Sequence, residues 1–460
     1  MNVDPNPKVL VIGAGLAGSE AAFFLAERGI SVVLCESKKL VKTPAQTLES
    51  YGELVCTNSL KSKDPGAPHG MLKYEMQKLG SIVLRNAEKT SVPAGDALAV
   101  DRVQFALMMT ESLKNHPRIE TIDRVIDDPL LAMKEYGCEF VIVATGPLPQ
   151  AGLENWLQEN IAKEDLYFYD AIAPIVDGDS LDYSKLYYKD RHKPVPEEEG
   201  QEADYLNAPM TEEQYYSFIQ ELVKAEKVQA KDFEDWKFFE ACLPIDLMAE
   251  RGAETARFSC MKPIGLELPD GSLPFATVQL RRENRLGSAF NLVGFQTRLK
   301  YPEQTRIFKM IPGLENAQFL HLGSVHRNTF LNAKKLLTYD QASREFPRLY
   351  FAGQMTGVEG YTESSASGLY VATQILAKIK GKELPPFPVE TCIGALVHYI
   401  MTSEKPVPSN INTGLFPPVP LTKEERRMRK QIKKIKRQKV AQRARETFDH
   451  YYEVHLKELM

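Results

Sequence analysis

Gly13-Ala14-Gly15-Leu16-Ala17-Gly18 follows directly on the short apolar run Lys8-Val-Leu-Val-Ile12. Between a strand and a helix, a G-x-G-x-x-G motif cradles a dinucleotide. The first glycine makes the tight turn, the second lets a pyrophosphate approach the backbone, and the third lets helix pack on strand. The helix start then offers unpaired N–H groups and the positive end of its dipole to phosphate. Glu36 stands 18 residues beyond Gly18, closing the next apolar run, Ser31-Val-Val-Leu-Cys35. A carboxylate there accepts ribose hydroxyls and argues against a 2′-phosphate. Two later strand ends also carry glycines, Ala144-Thr145-Gly146 and the run from Phe351 to Gly360. The second includes Gly353, Gln354, Thr356 and Gly357, with Ser364 expected to cap the following helix. Such a late glycine turn seats a ribityl chain and flavin, which favours FAD over NAD.

Six cysteines are scattered with no C-x-x-C pair, which excludes a zinc site or a disulfide framework and points to a reducing, cytoplasmic compartment. No metal site is expected. Two cysteines stand out, Cys56 in Glu53-Leu-Val-Cys-Thr-Asn-Ser-Leu60, soon after the first βαβ unit, and Cys242 in the more polar segment Phe239-Glu-Ala-Cys-Leu-Pro-Ile-Asp246. Most cysteines are small buried hydrophobes, as Cys35 and Cys138 are expected to be, and spacing alone does not choose a nucleophile among the six. His326-Arg327-Asn328-Thr329 follows a predicted strand and could face an anion, although a lone histidine is more often structural.

The elements that position these residues make up an α/β chain of 460 residues, enough for several domains. The expected fold is a Rossmann-like FAD-binding domain of the glutathione-reductase type, with an inserted α+β domain and a basic C-terminal helix. The strand patterns place the first part of the FAD-binding domain at 1–175. A Tyr-, Asp- and Pro-rich shift opens an insertion at 176–335, the FAD-binding domain resumes at 336–405, and a Pro-rich linker with a basic tail fills 406–460. No apolar run is long enough to span a membrane, so no membrane partner is expected. Nothing in the sequence fixes the oligomeric state.

Charge is distributed unevenly. Residues 421–460 carry a net +7, against −11 for the preceding 420. The span 423–445 holds 12 basic and 2 acidic residues, a footprint suited to a polyanion. Arg426, Arg427, Lys430, Lys433, Lys434 and Arg437 are the candidate RNA-binding residues. A solvated surface helix is the plainer alternative. Met428, Ile432, Ile435 and Val440 offer only a thin apolar stripe.

Several segments together resemble the folate- and FAD-dependent tRNA (uracil-5-)-methyltransferase family. They include VIGAGLAGSEAA (11–22), GELVCTNSLKS (52–62), FEACLPIDLMAERG (239–252), FNLVGFQTRLK (290–300), HRNTFLN (326–332) and FAGQMTGVEGYTESSASG (351–368). The resemblance runs in order over nearly the whole chain. It implies methylation of uracil C5 in the tRNA T-loop, with 5,10-methylenetetrahydrofolate supplying the carbon through reduced FAD and NADPH (or NADH) replenishing the flavin. It carries the family's two functional cysteines onto Cys242, as the thiolate adding to uracil C6, and Cys56, as its assistant in proton transfer or protection. The same chemistry on ribosomal RNA, or a related flavoprotein acting on an anticodon-loop uridine, are the alternatives. No separate NADPH fingerprint occurs.

Overall fold

The computed structural model describes residues 7–460 apart from 44, 163–166, 172, 192–202, 229–242, 285–286, 324, 405–407 and 429–430, with backbone alone at 167–171, 325–328, 426 and 433. The chain opens with β1 (Lys8–Ile12), α1 (Leu16–Glu27) and β2 (Ser31–Glu36). An excursion follows through β3 (Ser59–Ser62), α2 (Pro68–Lys78), α3 (Ile82–Lys89), β4 (Ser91–Val92), β5 (Ala97–Val100) and α4 (Arg102–Lys114). Then come β6 (Ile119–Asp123), α5 (Pro129–Glu135), β7 (Phe140–Val143), α6 (Ala151–Asn160) and β8 (Tyr167–Ala171). The middle of the chain holds β9 (Ile175–Asp177), β10 (Tyr187–Tyr188), β11 (Tyr205–Met210), α7 (Glu212–Lys224), α8 (Ile245–Arg251), β12 (Ala276–Arg282), β13 (Ala289–Leu292), α9 (Tyr301–Phe308) and β14 (Phe319–His321). The return comprises β15 (Val325–Thr329), α10 (Ala333–Leu336), β16 (Leu349–Phe351), α11 (Tyr361–Ile379), α12 (Cys392–Thr402), α13 (Lys423–Arg427) and α14 (Ile432–Tyr451).

A five-stranded parallel sheet in the order β16-β7-β1-β2-β6 forms the base. Its central strands are unbroken apolar runs because helices cover both faces. Gly368 explains how closely α1 and α11 approach. A methyl group there would lie 2.1 Å from the Ala17 carbonyl oxygen, so the two helices meet backbone to backbone. β6 is the strand that periodicity leaves unread. As an edge strand, only Ile119 of Ile-Glu-Thr-Ile-Asp is fully buried, which blurs the strand signal. α11 begins at Tyr361, earlier than expected, with Gly360 as its N-cap, so Ser364 sits inside the first turn rather than capping it.

β8 and β15 pair antiparallel and carry the chain into and out of its middle section. There a six-stranded sheet runs β10-β11-β12-β13-β9-β14. Along β12 the side chains alternate as a one-sided sheet requires. Ala276, Val278 and Leu280 enter a core built around Phe218, Phe290, Phe295 and Phe308, and Thr277, Gln279 and Arg281 face the other way. This core is separate from the one around the parallel sheet.

The C-terminal helix is more than a solvated surface element. Val440, Ala444, Phe448 and Tyr451 recur at helical spacing, and with Leu456 and Leu459 they join the core of the parallel-sheet unit. The Tyr451 ring packs 4.6 Å from that of Phe387, and its hydroxyl donates to the Pro385 carbonyl at 2.6 Å. Among the described residues, no helix is long and apolar enough to cross a membrane.

Candidate functional site

The cleft starts from the first glycine turn. Gly13 has φ +101°, and a Cβ there would lie 2.6 Å from the Ala144 carbonyl oxygen, so only glycine lets β1 turn beside the end of β7. Gly18 supports the turn from behind: its absent Cβ would sit 1.9 Å from the Gly13 carbonyl oxygen. Gly15 is different. A Cβ on it would meet only the Ala144 carbonyl oxygen, at 4.0 Å, and would otherwise project into open space. Gly15 also N-caps α1 without a side-chain bond, which leaves the helix's first N–H groups for a ligand.

Glu36 closes β2 and binds the turn from across the sheet. The Ala14 N–H donates to its Oε2 at 2.7 Å and the Lys38 N–H to its Oε1 at 2.9 Å. With one N–H on each oxygen, the carboxylate still has acceptor capacity, and Glu36 lines the cleft. On the opposite wall Gly353 (φ +81°) and Gln354 follow β16, and the Gly353 N–H donates to Ser367 Oγ at 3.0 Å. The Thr145 hydroxyl, between Ala144 and Gly146, is buried and has no hydrogen-bond partner among the described residues.

Together these residues enclose a cleft of about 1290 Å³, mouth included. Of the residues expected to hold a cofactor, Gly13, Gly15, Leu16, Ala17, Glu36, Gly146, Gly353 and Gln354 line it, and so does Cys56. Ala14, Gly18, Thr356 and Gly357 do not line it. They shape its turns, as when Thr356 Oγ1 donates to the Gly353 carbonyl at 2.8 Å.

Sequence reasoning missed the residues that hold Cys56 and floor the cleft. Cys56 is half-buried, and the Tyr361 hydroxyl accepts from its N–H at 2.6 Å and from the Thr57 N–H at 3.1 Å. Burial pushes the Tyr361 phenol far above its ordinary range, so it stays protonated. Arg102 Nη2 reaches the Cys56 carbonyl at 3.5 Å. Asn58 Nδ2 donates to the Val100 and Arg282 carbonyls at 3.1 and 2.9 Å, tying the loop to the end of β12. At the cleft floor, Lys38 and Glu53 form a buried ion pair at 2.9 Å. Burial works to raise the Glu53 carboxyl, but Lys38 and the N–H groups of Thr47 and Leu48 outweigh it and hold it below its ordinary value. A capping or glycine signal could not have revealed the partners of Cys56 and Asn58, because they lie 42 to 305 residues away in sequence.

A family model described as "Glucose inhibited division protein A" matches residues 8–383. A relative from an Exiguobacterium species, named methylenetetrahydrofolate–tRNA-(uracil-5-)-methyltransferase TrmFO, is 47% identical over 96% of this chain and 98% of its own length. The protein of that name from Bdellovibrio bacteriovorus is 45% identical over 94% and 96%. The chain belongs to the methylenetetrahydrofolate–tRNA-(uracil-5-)-methyltransferase family. Among solved structures, GidA from Aquifex aeolicus (form I crystal) superposes with a TM-score of 0.68 at 16% identity, covering 98% of this chain and 77% of that one, a likeness of fold.

Two of the segments that carry the resemblance, 239–252 and 290–300, meet in the middle core through their described residues. Asp246, fully buried on α8, accepts from Thr297 Oγ1 at 3.0 Å, the Arg298 N–H at 2.9 Å and Arg298 Nε at 2.6 Å, while Arg298 Nη2 pairs with Glu250 at 2.7 Å. This network fixes the segment that leaves Cys242. Cys242 itself lies outside the described residues, as do the side chains of His326, Arg327 and Asn328.

The six candidate RNA-binding residues fare differently. Lys430 and the side chains of Arg426 and Lys433 lie outside the described residues, and Arg427 and Lys434 are exposed. Arg437 turns back onto the body: its Nε donates to the Gly66 carbonyl at 2.7 Å and its Nη2 pairs with Asp64. Arg443 is spent on the Pro417 and Pro418 carbonyls, and Arg445 stacks 4.5 Å from the Tyr74 ring centroid.

Proposed function

We propose that this chain methylates C5 of a uridine in the tRNA T-loop, using FAD, 5,10-methylenetetrahydrofolate and a nicotinamide reductant, NADPH or NADH, in the cytoplasm. What carries this reading is near-end-to-end kinship with relatives named for that activity. The cleft suits FAD by its own chemistry. It has a helix start whose N–H groups are uncommitted, a space over Gly15 that any side chain would fill, and an orphaned Thr145 hydroxyl on its wall. When bound, FAD supplies reducing equivalents and conveys the one-carbon unit from the folate.

On this reading each residue has a defined task. Gly15, Leu16 and Ala17 take the pyrophosphate on their N–H groups, while Gly13, whose N–H is given to the Cys35 carbonyl at 2.8 Å, makes the turn beside it. Glu36 accepts the ribose hydroxyls, and Gly146, Gly353 and Gln354 border the flavin end. Ala14, Gly18, Thr356 and Gly357 keep these turns in shape. Cys242 adds as thiolate to uracil C6, which makes C5 a nucleophile, and Cys56 on the cleft wall exchanges a proton at its sulfur. The uridine leaves its stack to reach them. Arg426, Arg427, Lys430, Lys433 and Lys434 meet tRNA phosphates, with Arg437 anchoring their helix to the body.

Incubating the flavin-loaded protein with labelled methylenetetrahydrofolate, NADPH or NADH, and unmodified tRNA or ribosomal RNA tests the proposal. Label in 5-methyluridine of tRNA is expected, and its loss on Cys56→Ala or Cys242→Ala with flavin retained. No label in either RNA would end the reading, and label confined to ribosomal RNA would redirect it.

A further inference from the structure

Arg102 opens α4 immediately after its Asp101 cap, and its guanidinium is largely buried. It faces two partners on different parts of the molecule. Nη2 and Nε lie 2.8 and 3.1 Å from Glu283 Oε2, just beyond β12, and Nη2 lies 3.5 Å from the Cys56 carbonyl oxygen. The other Glu283 oxygen, Oε1, is buried and has no hydrogen bond among the described residues. A buried ion pair is a poor way to gain stability, since apolar residues of similar volume serve as well or better. This pair instead sets a permanent cation against the backbone of a half-buried cysteine, with its neutralising carboxylate brought in by the six-stranded sheet.

We propose that Arg102 is a positioning residue that favours ionisation of the Cys56 thiol, and that Glu283 sets how much of the Arg102 charge the sulfur feels. The proposal rests on the reading of Cys56 as a working sulfur.

Among the described residues, the other groups around the loop leave this pair as the variable charge. From α11, Tyr361 is protonated, its phenol raised by burial first and by the charge of Cys56 second. From β14, His321 is lowered by burial and by the Arg102 charge, and so is neutral at pH 7. Glu53 on the same loop is neutralised by Lys38, Glu36 is committed to two backbone N–H groups, and Arg124 at the cleft edge pairs with Glu135 at 2.8 Å. Arg102 is itself held above its ordinary value: burial opposes this, while Glu283, Tyr361 and Cys56 outweigh it. Because Glu283 moves with β12, any shift of that sheet against α4 changes the fraction of Cys56 present as thiolate. Seating of the inserted section is thereby coupled to the chemistry of the sulfur.

The test is the rate of Cys56 alkylation by iodoacetamide across pH 6–10 in the flavin-loaded full chain, followed on the Cys56 peptide by mass spectrometry. Arg102→Gln should raise the pH midpoint by about one unit and slow labelling about tenfold at pH 7. Arg102→Lys should restore the rate to within about threefold, since the charge returns without the fork. Glu283→Gln should move the midpoint the opposite way, downward, by leaving the guanidinium uncompensated. Tyr361→Phe, which loosens the loop without altering charge, should leave the midpoint in place. If Arg102→Gln and Glu283→Gln shift the midpoint in the same direction, or neither shifts it, the proposal is wrong. Should Arg102→Gln lose its flavin, Glu283→Gln decides alone against the near-native midpoint of Arg102→Lys: a downward shift upholds the proposal, and an unchanged or raised midpoint overturns it. The labelling midpoint is independent of methyl transfer. Opposed shifts in a protein whose Cys56→Ser variant still methylates RNA would therefore uphold the electrostatics and refute only the catalytic reading.

Discussion

Gly15 and Gly18 lie three residues apart in one motif and should fail in different ways when each is changed to alanine. At Gly15 the backbone is extended, with φ −71° and ψ −170°, which alanine adopts without strain, and the new methyl would meet the Ala144 carbonyl oxygen at 4.0 Å. Alanine is a poorer N-cap than glycine but restricts the unfolded chain more, so the two effects offset to within about 1 kcal/mol. The folded protein should therefore keep its Tm to within a few degrees. The methyl would stand where a pyrophosphate must approach, costing about 2 kcal/mol or more of flavin affinity, roughly thirtyfold. At Gly18 the new Cβ would be 1.9 Å from the Gly13 carbonyl oxygen and 3.3 Å from the Ala144 Cβ. Normal contact needs α1 to retreat by roughly 1.5 Å, a cost of about 1–3 kcal/mol or more that exceeds the helix-propensity gain of about 1 kcal/mol. Flavin absorbance per protein and the Tm of the flavin-free protein separate the outcomes. Full flavin affinity in Gly15→Ala, or an unchanged Tm in Gly18→Ala, would refute the assignment of one glycine to ligand approach and the other to packing.

Three further predictions concern charge. Glu20 and Glu75 are buried carboxyls pushed up to about 7 by desolvation, even though each accepts N–H bonds from a helix start. Because the folded state holds these protons more tightly than the unfolded one, stability falls as pH rises from about 4.5 to 7, on the order of 3 kcal/mol for each group. Glu75→Gln should remove its share of the slope, read as a smaller drop in Tm between pH 5 and 7.5; an unaltered slope would refute it. In the tail, Lys434→Glu with Lys436→Glu should weaken tRNA binding and reduce its salt slope by about 2. Arg437→Ala should instead speed amide exchange in 431–440 while leaving the region around Phe448 protected, because it releases the anchor to Asp64 and Gly66.

Much of the cleft was legible in the residues themselves, since glycine turns and apolar strands are local signals. Gly13 and Gly18 are required by contacts within a few residues or with a neighbouring strand, and Glu36 ends its strand where the motif requires. The tail shows how far a local reading extends: a window ending at Arg445 sees a cationic helix, and the apolar anchors that dock it, Phe448, Tyr451, Leu456 and Leu459, lie just beyond. β6 and the start of α11 were missed because an edge strand alternates weakly and a glycine N-cap leaves no side-chain signature.

By itself, the sequence determined that a dinucleotide can bind after β1, which residues bear sulfur, and where cationic charge collects. All of these follow from residue type and short spacing. Only the tertiary structure decided what surrounds Cys56, because its partners Arg102 and Tyr361 lie 46 and 305 residues away and Glu283 lies 181 residues beyond Arg102. Hydrogen bonds and ion pairs act over a few ångströms in space whatever the distance along the chain, so a pairing of that kind leaves no periodicity for a sequence to display.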